Sequence, residues 1–332
     1  MSLADIPRLA LAHLPTPLIQ PRRLAASLGV DLWVKRDDMT SGPEAGNKIR
    51  KLEVLVAHAL EEGADTLITC GGVQSNHARA TAIVAASLGL RCVLYLRVGD
   101  PAEPIAVEGN VLLDRLAGAE IRPISAAEYA DRDALMARAA IDLRAAGARP
   151  YVIAEGGSSG RGALGYVLAM GEIREQLGAE EPFDVIVHAC GSGGTAAGVA
   201  LGAARFGVAR EVRAMLVQYD VPTFESVIAR ITREARALAP DLGDPARLVL
   251  DDRARGPAYA VSTTEQRALM ARVGRESGLL LDPAYTGKAF HGLAMMAEQG
   301  ELAGKRVLFL HTGGLPGLLV QAGTFATELS RA

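Results

Sequence analysis

Across its 332 residues the chain is 49% hydrophobic and 22% charged, an ordinary globular balance with room for a large core or two domains. A net charge of −3, no basic block and only 4% aromatic residues argue against nucleic acid or an anionic membrane as partner. No apolar run reaches the length of a membrane span and Met1-Ser2-Leu3-Ala4-Asp5 lacks a signal-peptide pattern, so a cytoplasmic protein is expected.

Residues 1–30 read as a lead-in, in which the extended, Pro-stiffened segment His13-Leu14-Pro15-Thr16-Pro17-Leu18 precedes a short helix ending at Gly29. From Asp31 strand and helix patterns alternate. Trp33-Val34-Lys35-Arg36-Asp37-Asp38 starts apolar and breaks into charge. Gly46-Asn47-Lys48-Ile49-Arg50-Lys51 then opens a helix whose apolar stripe is Ile49, Leu52, Leu55, Val56, Ala59 and Leu60. Strands are predicted over 66–70 and 91–96, with a helix over 78–88 between them that stops at Gly89. Helices over 105–117 and 134–146 follow, then a strand at 151–154 and a helix around 164–177. A strand at 184–189, a helix from Thr195 and a strand at 212–217 come next. Helices over 224–238 and 265–277 precede a last strand, 306–311, and a terminal helix.

This alternation predicts an α/β fold of parallel strands joined by crossover helices, with both faces covered. The weakest boundaries, at Gly46 and near Glu155, divide the chain into a large domain (1–47 and 156–332) with a small one (48–155) inserted. Cys70, Cys92 and Cys190 are far apart and odd in number, so buried thiols in a reducing compartment are expected. The histidines show no metal-ligand spacing, and no metal site is expected.

Ligands of open α/β sheets bind at the carboxyl ends of strands. Four such ends are polar and glycine-bearing: Gly71-Gly72-Val73-Gln74-Ser75-Asn76-His77, Glu155-Gly156-Gly157-Ser158-Ser159-Gly160, Gly191-Ser192-Gly193-Gly194-Thr195 and His311-Thr312-Gly313-Gly314. Lys48 stands in the first turn of its helix, where the dipole disfavours a cation. The plain reading is a solvated basic cluster; the sharper one is a reactive amine whose proton is loosened by Arg50, Lys51 and the dipole.

Gly191-Ser192-Gly193-Gly194-Thr195-Ala196 follows a strand and opens a helix, so its free N–H groups and small side chains suit a phosphate. The same residues match a relaxed dinucleotide fingerprint with Asp220 as ribose acid, and a nicotinamide-dependent oxidoreductase is the alternative of another class. That alternative leaves Lys48 and the Gly-Gly strand ends idle. Gly156-x-Ser158-x-Gly160 formally fits a nucleophile elbow with His291 or His311 as base. Ser75-Asn76-His77 reads evenly as a helix N-cap or as the seat of a substrate carboxylate. Tyr259 and Tyr285, in loops beside Pro257 and Pro283, read as surface filler or as rings able to stack on a planar ligand and offer a phenol to a proton transfer.

Together several ordered motifs resemble the pyridoxal-phosphate enzymes of fold type II, and within them the D-cysteine desulfhydrase / 1-aminocyclopropane-1-carboxylate deaminase family. They are Lys35-Arg36-Asp37-Asp38, Gly46-Asn47-Lys48-x-Arg50-Lys51-Leu52-Glu53, Gln74-Ser75-Asn76-His77, Gly191-Ser192-Gly193-Gly194-Thr195, Asp282-Pro283-x-Tyr285-Thr286-Gly287-Lys288 and His311-Thr312-Gly313-Gly314. The likeness runs through nearly the whole chain. It implies a tryptophan synthase β-like fold of two open twisted parallel sheets with flanking helices, pyridoxal 5'-phosphate as cofactor, and a homodimer. By resemblance Lys48 is the Schiff-base lysine and, once freed, the base that removes the substrate's α-proton. Lys51 with Ser192, Gly193, Gly194 and Thr195 would hold the cofactor phosphate, and Asn76 the ring hydroxyl. Ser75 and His77 would help seat the substrate carboxylate, with Tyr259 and Tyr285 flanking ring and substrate.

The resemblance also uses Thr286 and Thr312 to choose a reaction. Deaminases that open a cyclopropane ring carry glutamate at the position of Thr286, facing the pyridine nitrogen, where a carboxylate keeps the ring a stronger electron sink than a hydroxyl does. Both threonines therefore imply α,β-elimination on a small amino acid, most like D-cysteine to pyruvate, sulfide and ammonia. L-cysteate sulfo-lyase and a deaminase-like activity on another small (D-)amino acid are the alternatives. The chain departs from the family pattern at Pro43-Glu44-Ala45-Gly46, at Ala80, at Arg97-Val98-Gly99-Asp100-Pro101 and over 260–265 after Tyr259. These departures leave open a different β-substituted substrate, or a cofactor-binding carrier or sensor.

Overall fold

The alternating apolar runs condense into ten strands in the computed structural model, which describes residues 2–42 and 45–329. These are β1 (Leu18–Ile19), β2 (Asp31–Lys35), β3 (Thr66–Gly72), β4 (Arg91–Arg97), β5 (Glu120–Ile124), β6 (Pro150–Val152), β7 (Phe183–Cys190), β8 (Ala209–Leu216), β9 (Arg247–Asp251) and β10 (Arg306–Leu310). Six form one sheet in the order β1-β2-β10-β7-β8-β9, and four form another in the order β5-β4-β3-β6. Only β1 with β2 pairs antiparallel; the other pairs are parallel. A parallel sheet covered by helices is apolar on both faces. Accordingly Val307 and Phe309 join Val185 and Val187 in one core, while Leu308 and Leu310 join Ile186 in the core behind the sheet.

The Asn47–Glu61 helix stands between the sheets. Its Ile49, Leu52, Leu55, Val56 and Ala59 pack with Leu67 and Leu94 of the four-stranded sheet, and Val54 points the other way onto Leu164 and Val167. Leu60, counted with the stripe from the sequence, is exposed in the last turn. The helix crosses the Gly160–Leu177 helix at Gly165, where a Cβ would lie 2.1 Å from the Arg50 carbonyl oxygen. At this crossing Arg50 donates to both Asp37 oxygens (2.8 Å each) and both Glu172 oxygens (3.0 Å each). Lys35 adds a bond to Glu172 at 2.5 Å, and Tyr166 donates to Asp37 at 2.7 Å. Arg50 and Asp37 are buried, and the opposing charges and hydrogen bonds of the cluster outweigh the cost of burial, holding the Asp37 carboxyl below its ordinary pKa.

The predicted elements differ from the observed ones at instructive places. The helix predicted over 105–117 spans Gly109–Leu116, because Gly109 takes a left-handed φ of +52° that ends any helix running upstream. The sequence reading has no counterpart of β5, β9 or the Thr286–Glu298 helix. β5 and β9 are sheet edges, half-exposed and studded with charge. The helix opens on Thr286-Gly287-Lys288, residues that read as loop.

Candidate active site

The ends of β3, β4, β7 and β10, with the segments that follow β6 and β8, converge on one cleft walled by both sheets. Lys48 lies on its wall. The start of its helix is stitched to the end of β10, since Asn47 N donates to Thr312 O (3.1 Å). Gly46 makes that approach possible: its φ is +123°, and a Cβ would lie 2.9 Å from the same oxygen. Among the described residues the Lys48 amine makes no hydrogen bond and no ion pair, and burial pushes its pKa down to about 8 against the opposing pull of Glu155. The loosening expected from Arg50 and Lys51 thus has another origin. Arg50 is turned away and neutralised by Asp37 and Glu172, and loss of water does the work.

Ser192, Gly193 and Thr195 line the cleft where β7 gives way to the Gly194–Phe206 helix. Gly194 and Lys51 lie just behind this wall: a Cβ on Gly194 would sit 3.0 Å from Lys51 Nζ and 2.7 Å from Ser158 Oγ. The Lys51 ammonium, 1% exposed, donates to Gly156 O (3.1 Å) and at the limit of reach to Ser158 Oγ (3.5 Å), and meets no carboxylate among the described residues. Burial, and then the nearby Lys48, hold its pKa well below the ordinary lysine value. A buried lysine amine lacking an anion, beside a helix N-terminus and the Ser158–Ser192 hydroxyl pair (2.8 Å), fits a phosphate group, whose charge would favour its protonated form. These residues therefore fit the phosphate end of pyridoxal phosphate, with Lys48 within the same cleft to bond its carbonyl end.

Two alternatives read from the sequence do not assemble. Ser158 Oγ is held by Ser192, Lys51 and Gly194 N, and no histidine among the described residues bonds it, so the nucleophile elbow has no base. Asp220 caps its own helix, accepting from Thr223 N at 3.1 Å, and stands apart from the cleft lining.

On the other wall Ser75 caps the Asn76–Ser87 helix, its Oγ accepting from Ala78 N at 3.1 Å. Asn76 Oδ1 accepts from Asn110 (3.1 Å) and Arg79 (3.4 Å), which leaves the Asn76 NH2 group without an acceptor among the described residues. Thr69 donates its hydroxyl proton to Ile153 O (2.8 Å), so the 2.9 Å contact with His77 requires His77 Nε2 to be the donor. His77 Nδ1 is then a bare, buried acceptor, and burial with Lys48 and Lys51 nearby keeps the ring neutral. An anion at this wall meets the backbone N–H groups of the helix start rather than the His77 ring.

Tyr259 and Tyr285 touch edge to face at 5.8 Å with their hydroxyls 2.6 Å apart, and both line the cleft. Burial lifts the Tyr259 phenol to about 12 and holds the Tyr285 phenol well above its ordinary value, so both are protonated at neutral pH. Tyr285 is fixed through Asp282, whose carboxylate accepts from the backbone of Ala284, Tyr285 and Thr286 (3.0, 3.0 and 2.8 Å). The two threonines part company. Thr312 lines the cleft, whereas Thr286 is fully buried behind it, donating to Asp282 Oδ1 (2.7 Å) and accepting from Asp282 N (2.8 Å). Glu44, named among the departures, lies outside the described residues, as does Pro43.

The cleft also gathers Tyr129, Cys190 and Gln218, none of which the sequence reading placed in the site, together with Glu155 of the polar segment after β6 and Arg97, which the sequence reading named only as a departure from the family pattern. Only the rule that strand carboxyl ends carry ligands could have flagged Arg97, Cys190 and Gln218.

A family model described as pyridoxal-phosphate dependent enzyme matches residues 9–313. The chain is 40% identical over 319 residues to a bifunctional D-cysteine desulfhydrase/1-aminocyclopropane-1-carboxylate deaminase, mitochondrial, of Arabidopsis thaliana, covering 93% of this chain and 78% of that protein. It is 41% identical over 322 residues to a D-cysteine desulfhydrase of Yersinia pestis, covering 95% and 96%. A crystal structure of a homologue of 1-aminocyclopropane-1-carboxylate deaminase superimposes with a TM-score of 0.89 at 38% identity over 98% of this chain and 97% of that one.

Proposed function

The chain belongs to the pyridoxal-phosphate dependent enzymes, and from that premise we propose a lyase that eliminates the β-substituent of a small amino acid, most like D-cysteine to pyruvate, sulfide and ammonia. The observation that carries this reading is the joint presence of a partner-free Lys48 amine and, one turn on, a buried Lys51 that lacks an anion. When bound, pyridoxal phosphate supplies an electron sink next to the substrate's α-carbon.

The chain's own residues do the rest. Lys51, Ser192, Gly193, Gly194 and Thr195 would hold the phosphate, and Thr312 would offer a neutral hydroxyl to the ring. The Asn76 NH2 group, left free by its carbonyl's two bonds, would donate to the ring hydroxyl oxygen. The helix start at Ser75, Asn76 and His77 seats the substrate carboxylate through backbone N–H groups. Lys48 Nζ takes the α-proton, and with a pKa near 8 it accepts and returns a proton readily close to neutral pH. The paired Tyr259 and Tyr285 phenols stay protonated; one hydroxyl donates to the other, which leaves the second free to donate a hydrogen bond toward the departing group. Thr286 serves from behind, by holding Asp282 and through it Tyr285.

The relatives' printed names support this substrate class, D-cysteine in one and both D-cysteine and 1-aminocyclopropane-1-carboxylate in the other. We place the division between a large domain (1–47 and 156–332) and a small one (48–155) where the two sheets separate along the chain. A cytoplasmic homodimer completes the proposal; no helix among the described residues is long and apolar enough to cross a membrane. The test is to mix purified protein with pyridoxal phosphate and then D-cysteine, following visible absorption and pyruvate in one sample. A visible band that shifts as pyruvate accumulates, and the loss of both in Lys48→Ala, is expected. A protein that stays colourless with added cofactor would overturn the reading.

A further inference from the structure

Arg97 ends β4 and pairs in register with Gly72 of the adjacent, parallel β3. It therefore stands one strand, about 4.8 Å, across from the segment that leads into Ser75, Asn76 and His77. Its guanidinium lies over two aromatic rings, 4.8 Å from the centre of Tyr129 and 5.9 Å from that of Tyr259. Stacking of this kind fixes the plane of the fork without occupying its donors. Among the described residues Arg97 donates no hydrogen bond and forms no ion pair, though it lines the cleft. The neighbouring Arg132 shows the contrast: it also stacks on Tyr129 (5.0 Å) but has an ion-pair partner, Glu155, at 3.0 Å. With Lys48 and Lys51 given to the cofactor, Arg97 is the cation of the cleft lining that nothing yet described answers.

We propose that Arg97 is a specificity-determining residue that receives an anionic substituent on the substrate's β-carbon, the class that includes β-sulfonates and ionised β-thiols. This rests on the elimination reading above and names the part of the substrate that the cleft selects. A substrate seated by its α-carboxylate at the end of β3 carries its side chain toward the next strand end, where the fork can take two oxygens of a sulfonate at once. For a β-sulfonate the α-proton passes to Lys48 Nζ, the Cβ–S bond breaks, and its electron pair leaves with sulfur as sulfite. Water then releases ammonia and leaves pyruvate, so no oxidant or reductant is needed. An ionised thiol leaves as hydrosulfide once its sulfur has taken up a proton, which a hydroxyl of the Tyr259–Tyr285 pair in the cleft can supply. In each case Arg97 faces charge already present on the substituent when the substrate binds, whereas a chlorine is neutral on binding and gains charge only as it departs as chloride.

The test compares kcat/KM of the cofactor-loaded enzyme for cysteate and for β-chloroalanine, each as D and L forms, by pyruvate release. β-Chloroalanine carries a neutral substituent of similar reach and shares the final product. The cysteate-to-chloroalanine ratio should fall on the order of tenfold to a hundredfold in Arg97→Leu, mainly through KM for cysteate. Arg97→Lys, which keeps the charge but loses the fork, should give an intermediate ratio and guards against a variant that merely folds poorly. An unchanged ratio in Arg97→Leu, or wild-type turnover of β-chloroalanine with none of cysteate, overturns the assignment of Arg97 and leaves the elimination reading standing. Absence of pyruvate from every substrate overturns the elimination reading itself.

Discussion

Lys48 and Lys51 sit one turn apart on one helix, and the same cause, burial, lowers both amines. Their surroundings give them different work. Lys48 opens to the cleft with no partner, so its neutral amine is the nucleophile for a carbonyl. Cofactor uptake by the apoprotein, followed by absorbance, should therefore rise with pH and level off above about 8. A lysine of ordinary pKa would show a rate still climbing steeply through pH 9. Lys51 is a buried amine without an anion, a burden to the empty protein and an asset to the loaded one. Lys51→Met is expected to raise the apoprotein's melting temperature while weakening cofactor affinity on the order of tenfold to a hundredfold, read by titration. The opposite signs are what separate a phosphate ligand from a structural lysine. Thr286→Val removes a donor from the buried Asp282 carboxylate and should cost roughly 1–3 kcal/mol in denaturant unfolding.

The Asn47–Glu61 helix carries both lysines, so its position is the site's position. It is held by the close crossing at Gly165 and by the Arg50–Asp37–Glu172 cluster. Gly165→Ala would drive a methyl into the Arg50 carbonyl and push the helices apart, and overpacking of that kind costs about 1–3 kcal/mol. Cofactor affinity should fall with stability, although residue 165 stands apart from the cleft lining. Asp37→Ala leaves Arg50 buried with one acid fewer and should lose about 3–5 kcal/mol, measured as a shifted denaturant midpoint. Much of this was legible in the chain itself. The apolar stripe placed the helix, and all four glycine-bearing polar strand ends line the cleft, because such residues interrupt an apolar run only where the backbone turns or meets a ligand. What stayed hidden lacked a local signature. β5 and β9 are edge strands whose charges mask their periodicity, and Tyr129 and Gln218 each arrive alone from distant parts of the chain. The burial of Thr286 behind Asp282 depends on how a helix begins, which its sequence, Thr286-Gly287-Lys288, disguises.

At the scale of the whole molecule, His77, His188 and His311 are buried, and all three have pKa values lowered by burial, His188 to about 4. The unfolded chain then binds protons first, so stability that is complete above about pH 6.5 is lost as pH falls toward 4. Each histidine adds about 1.4 kcal/mol per pH unit to that slope, and unfolding midpoints between pH 7 and 4.5 measure it. His188→Gln should flatten the curve. The cleft itself has one more consequence, since its walls come from two separate sheets, Ser192 to Thr195 following β7 and Ser75 to His77 following β3. A molecule lodged there clasps the sheets to each other, and its binding energy becomes resistance to opening, about 2.7 kcal/mol at a hundredfold excess over its dissociation constant. The emptied protein is thus the one that gapes first, and the rate at which a protease cuts it becomes a gauge of how many copies have lost their clasp.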